Sequence, residues 1–95
     1  MTKSADPADS RNLCSRLNKI IGQLEAMKRM IEKDAGCEDL IIQVNAVKSA
    51  MHSFGRVVLE KGISTAMNNC LDGADAAEAA EECSVLIGRF ADLSK

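Results

Sequence analysis

Aromatic residues are almost missing from this chain. Among its 95 residues only Phe54 and Phe90 are aromatic, Trp and Tyr are absent, and Pro7 is the single proline. Sheets draw heavily on aromatic and β-branched side chains, so this scarcity argues against a sheet. Helices built on Ala, Leu, Ile, Met, Glu and Lys suit the composition better. Histidine is equally scarce. Any Ser-His-Asp or Cys-His catalytic site would have to use His52, and no strained nucleophile turn accompanies it. An enzyme reading has no support beyond the presence of thiols.

The four cysteines, Cys14, Cys37, Cys70 and Cys83, include no C-x-x-C pair, which excludes a zinc-ribbon spacing. No apolar signal segment opens the chain, and no uncharged apolar run approaches the length that crosses a membrane. A cytoplasmic protein with reduced thiols is expected, with no membrane partner.

Charge is present but unevenly placed. Residues 1–33 hold seven Lys/Arg against four Asp/Glu, whereas residues 34–95 hold five against ten, within a net charge of −2. A basic first segment on a mildly acidic protein points to an anionic partner.

Three helices are predicted, at about 7–34, 37–68 and 74–93, in one all-α domain spanning 1–95. Asp6 is positioned to cap the first, with Pro7 at its first position and Asp9 in its first turn. Leu13, Leu17, Ile20, Leu24, Met27 and Ile31 then step by four and three, a helical seam. Gly36 is expected to stop it in the left-handed conformation. The second helix opens at Cys37 with Glu38 and Asp39 at its positive end, and Leu40, Val44, Val47, Met51, Phe54 and Val58 repeat the stepping. The third carries Ala76, Ala80, Cys83, Ile87 and Phe90 on one seam. So few residues cannot bury three apolar seams alone, and a homo-oligomer is expected to complete the bundle.

Arg16, Lys19 and Gln23 fall at i, i+3 and i+7, on one face of the first helix. Lys48 and Arg56 lie on a polar stripe of the second, with His52 between them. Charged helix faces are often merely solvated, so spacing alone leaves their role open. Cys37 stands at a helix N-terminus, which makes a thiol more nucleophilic, although Glu38 and Asp39 oppose this. Cys14 and Cys83 sit on or beside apolar seams and are expected to pack as small hydrophobes.

The segments "RLNKIIGQLEAMKRMIE" and "GCEDLIIQVNAVKSAM" together resemble the family of bacterial copper-, nickel/cobalt- and formaldehyde-responsive repressors. The resemblance runs from about Ser10 to Leu59 and weakens beyond. It implies a three-helix protomer, paired through antiparallel second helices and doubled into a flat homotetramer. It also implies operator DNA as partner, with matching basic residues at Arg16, Lys19 and Lys48 on the DNA-facing surface. Gln23 and Arg56 join that candidate surface. No helix-turn-helix spacing is present, so recognition is expected to depend on backbone contacts and DNA shape.

The resemblance also implies an effector thiol at Cys37. In the family's metal sensors the partner supplies a histidine 25 positions further along and a cysteine or histidine four later. Those positions are Gly62 and Ala66 here, and neither can ligate. The N-terminal ligand or proline of related sensors has no match in "MTKSAD". Cys70 is the remaining candidate second thiol, and it reaches a partner's Cys37 only if the chain bends back near Gly62 or "MNNC". No obligatory cofactor is expected; Cu(I), another thiophilic metal or a thiol-reactive species acting at Cys37 is the expected effector. Two competing readings are a repressor with a degenerate sensor and a helical oligomeric interaction module without DNA binding.

Overall fold

The structure, a computed structural model, describes residues 7–95, with no side-chain description for Pro7 and Ala8. The expected cap Asp6 and the segment "MTKSAD" lie outside the described residues. Three helices follow in order: α1 (Pro7–Glu32), α2 (Cys37–Leu71) and α3 (Ala76–Leu93). No described residue forms a strand.

The turn between α1 and α2 differs from the sequence expectation. Its left-handed residue is Asp34, at φ 59°, and Gly36 is extended at φ −67°, ψ 153°. Asp34 N–H donates to Ile31 C=O at 3.0 Å and Ala35 N–H to Met30 C=O at 2.9 Å. These are the two bonds of a Schellman stop, with Asp34 in the position that usually falls to glycine. Aspartate tolerates that conformation better than most residues, so the left-handed stop falls two residues before the glycine and α1 ends at Glu32. Gly36 instead forms the N-cap of α2.

The end of α2 repeats the device with the usual residue. Gly73, at φ 107°, donates to Cys70 C=O at 3.1 Å, and Ala74 donates to Asn69 C=O at 2.9 Å. Because nothing interrupts the hydrogen bonding before Leu71, α2 runs unbroken through Gly62 and past "MNN". Asp75 then caps α3, its Oδ1 accepting from Ala77 N–H at 3.1 Å.

Both α1 and α3 pack along α2. On the α1 side, Ile20 is buried at 5 % exposure. It shares its surroundings with Ala50 and Phe54 of α2. Lys61 Nζ of α2 lies 3.2 Å from Asp9 Oδ2 of α1. On the α3 side, glycine permits a close approach. A Cβ at residue 62 would stand 2.6 Å from Leu86 Cδ1, and one at residue 55 would stand 2.6 Å from Leu93 Cδ2. Both pairs are seven residues apart, so two leucines of α3 enter two notches of the antiparallel α2.

This packing leaves a thin, extended protomer of 57 × 29 × 15 Å. Its radius of gyration is 17.4 Å, against about 12 Å for a compact chain of this length. The accessible surface is 7116 Å², where a compact monomer of 10.2 kDa would expose about 5,300 Å². Among the described residues only Ile20 and Ala66 are buried hydrophobics, and the seam residues Leu24, Ile31, Val44 and Val58 remain exposed. No helix is long and apolar enough to cross a membrane among the described residues.

Candidate nucleic-acid interface and thiol site

Three of the five basic or amide candidates converge. Arg16, Lys19 and Gln23 of α1 line one open cavity of about 530 Å³, together with Asn12 and Ser15. Its floor is Ile20, Ala50 and Phe54. Arg16 and Lys19 are exposed and Gln23 is half-buried. Arg16 Nε donates to Asn12 Oδ1 at 2.9 Å. No carboxylate is among the described residues that line this cavity. Asp9 and Glu60 border another cavity, which Asn12 and Arg16 also line.

Lys48 and Arg56 are exposed but do not line that cavity. Lys48 is two residues from Ala50, and so about 160° away around α2. It borders a second cavity of about 520 Å³ with Asn45, Ser49, His52 and Ser94. The last turn of α3 contains no basic residue. Within one protomer the candidate cations therefore form two groups, on different sides of α2.

His52 is half-buried and holds the end of α3. Its Nε2 lies 3.0 Å from Ser94 Oγ, and its ring tilts at 48° against Phe90 with centroids 4.9 Å apart. Ser94 Oγ also lies within donating distance of Phe90 C=O, at 3.4 Å.

Cys37 is the first residue of α2 and is exposed. Cys70 is half-buried at the opposite end of the same helix. With α2 continuous, the two thiols of one protomer are about 50 Å apart at ~1.5 Å per residue. The bend that would bring Cys70 back toward position 62 is not made. Cys14, expected in the core, is exposed in the protomer, while Cys83 is half-buried. All four cysteines are free.

The positions where a metal sensor would carry its second and third ligands have a different use. Gly62 receives Leu86, and Ala66 is 1 % exposed. Among the described residues no group of three or more His, Cys, Asp or Glu converges. The residues present thus do not fit the histidine-and-thiolate site that the resemblance implies, because one ligand position is a packing notch and the other is sealed.

Sequence reasoning passed over Asn12, Ser15 and the α2–α3 notches. Asn12 stands four residues before Arg16, the spacing at which helical side chains meet. The Gly55/Gly62 spacing matches that of Leu86/Leu93, which is the visible trace of the notches.

Comparison with known proteins agrees with this architecture. The model of the metal-sensitive transcriptional repressor family matches residues 9–89. The chain belongs to that family. The copper-sensing transcriptional repressor CsoR of Mycobacterium tuberculosis (strain ATCC 25618 / H37Rv) is 36% identical over 67 residues, covering 70% of this chain and 56% of that protein. The chain thus matches little more than half the length of that relative. The copper-sensing transcriptional repressor CsoR of Bacillus subtilis (strain 168) is 27% identical over 78 residues, covering 82% of this chain and 77% of that protein. Among solved structures, the nickel-responsive transcriptional regulator InrS has the same fold. Its TM-score is 0.77 at 22% identity, over 93% of this chain and 96% of that one.

Proposed function

We propose that this protein is a cytoplasmic, homo-oligomeric repressor that binds operator DNA and releases it when an effector acts at Cys37. The observation that carries the DNA-binding half is the cavity of Arg16, Lys19 and Gln23, two cations with no carboxylate among its described lining residues. Lys48 and Arg56 stand on another side of α2 within one protomer and join this basic surface through the assembly of several copies. Several copies would sum their phosphate contacts, so binding falls steeply with salt. No obligatory cofactor enters this reading.

The exposed face of α2 supports self-association. Cys37, Ile41, Val44, Met51 and Val58 are exposed and lie within an arc of about 100°, whereas Gly62, in the same angular range, faces Leu86 of α3. An antiparallel pair of α2 helices centred between Ser49 and Ala50 sets Ile41 against Val58 of the partner subunit. The same register sets Cys37 against Gly62 of the partner subunit. Two such pairs form the homotetramer. The relatives are named for copper and nickel, and a thiophilic metal such as Cu(I) reaches Cys37 here only with a ligand set other than residues 62 and 66. A thiol-reactive species needs only Cys37 itself. Cys70, at the far end of α2, is the secondary candidate thiol.

Gel shifts at graded salt on DNA flanking the protein's own gene test the reading. A retarded complex at low salt that is lost as salt rises is expected. No complex at low salt would overturn the repressor and leave an interaction module. Within the repressor, Cys37→Ala should bind DNA as the parent does and ignore its inducer. A variant that still releases DNA with every inducer of the parent removes Cys37 from the sensor.

A further inference from the structure

Arg16 is oriented by a neighbour on its own helix. Its Nε–H, the donor nearest the chain, is taken by Asn12 Oδ1 at 2.9 Å. That bond fixes the plane of the guanidinium and leaves the four N–H groups of its two terminal nitrogens. No described hydrogen bond or ion pair engages those nitrogens, and none engages the Lys19 ammonium. Ser15, Lys19 and Gln23 add further donors to the same cavity. Beneath them, Ile20 is buried and forms the floor with Ala50 and Phe54, so the polar groups stand over packed apolar side chains.

Such an arrangement suits one chemical class of ligand. A tetrahedral oxyanion accepts paired N–H groups from a guanidinium fork and a point charge from an ammonium, and it needs a site without carboxylates. Asp9 and Glu60 line a neighbouring cavity that Asn12 and Arg16 also border, where Lys61 pairs with Asp9 and offsets part of that negative charge.

We infer that the cavity of Ser15, Arg16, Lys19 and Gln23 seats a single backbone phosphate of DNA, with Asn12 the positioning residue that aims the Arg16 fork at it. The inference rests on the DNA-binding reading above and goes further, since it assigns one phosphate to one cavity and a role to Asn12. Arg16 touches the phosphate and Asn12 does not.

The test is a double-mutant cycle on DNA affinity, read by fluorescence anisotropy at several salt concentrations with duplex from upstream of the protein's own gene. Asn12→Ala is expected to weaken binding about 3–10-fold, the worth of one net hydrogen bond, with the salt slope unchanged. Arg16→Ala should weaken it more and lower the slope by about one unit. The double variant should bind like Arg16→Ala alone, because Asn12 acts only through Arg16. Losses that multiply, or an Asn12→Ala variant that binds like the parent, overturn the inference while leaving the repressor reading intact. Absence of binding by the parent protein sinks both.

A second readout keeps the assignment independent of affinity. The Arg16 Hε resonance should move when DNA is added, and its position should change in Asn12→Ala. A resonance that moves with inorganic phosphate at constant ionic strength but not with DNA overturns DNA as the source. One that moves with neither overturns the seat.

Discussion

Leu86 Cδ1 lies 2.6 Å from where a Cβ at Gly62 would stand, so residue 62 of α2 is a seat for α3. Reinstating the histidine of the family's metal sensors at this position should therefore not restore a metal site. Gly62→His must displace Leu86, and overpacking of this kind costs about 1–3 kcal/mol. The variant should show a lower denaturation midpoint, and adding Leu86→Ala should recover part of the loss. A Gly62→His protein as stable as its parent would show that Leu86 moves aside without penalty.

Gly22 offers the opposite case. It sits inside α1, and a Cβ there meets nothing within 4 Å. Gly22→Ala should stabilise the fold by about 0.5–1 kcal/mol, the difference in helix propensity. Chemical denaturation measures it. If stability falls instead, the surface beside Gln23 is covered by another subunit.

The stepping of apolar residues by four and three was enough to foretell three helices, because that pattern follows directly from the helical repeat. Helix ends were less legible. Gly36 was the natural stop by residue type, yet Asp34 takes the left-handed position, because the two hydrogen bonds that close α1 form before the glycine is reached. The loss of ligands at 62 and 66 could be counted along the chain, but its physical meaning could not. Only the placement of α3 reveals that Gly62 is a notch and that Ala66 is sealed. Similarly, the shared helical face of Arg16, Lys19 and Gln23 was readable from spacing. That Lys48 stands on a different side of the protomer, near the end of α3, depends on how three helices pack and leaves no mark in any single one.

His52 should prove a structural anchor. Its contacts with Ser94 and Phe90 join α2 to the last turn of α3. His52→Ala removes one hydrogen bond and one ring contact, a loss of about 1–2 kcal/mol. Hydrogen exchange should quicken at the last-turn amides of α3 and stay unchanged at the amides around Ile20. Equal acceleration in both places would mean that His52 supports the whole fold, and no change would mean that α3 is held by Leu86 and Leu93 alone.

The exposed apolar face of α2 leads to the sharpest test of assembly. Val44 is 45 % exposed and Val58 39 % in the protomer, and both lie on the arc that also carries Cys37 and Gly62. In a monomer a charge at either position costs almost nothing, since exposed substitutions seldom exceed about 0.5 kcal/mol. In an antiparallel α2 pair, two-fold symmetry introduces the new carboxylate twice and buries it without a cation opposite, a cost of several kcal/mol. Val44→Glu should therefore shift sedimentation from oligomer toward monomer. It should also lower the unfolding midpoint and make that midpoint depend more strongly on protein concentration, as linkage between folding and association requires. Met67→Glu, at a 60 % exposed residue off this arc, serves as the control and should leave the oligomer whole. If Val44→Glu sediments like its parent, the α2 faces do not meet in this register, and Cys37 does not stand opposite Gly62 of the partner subunit.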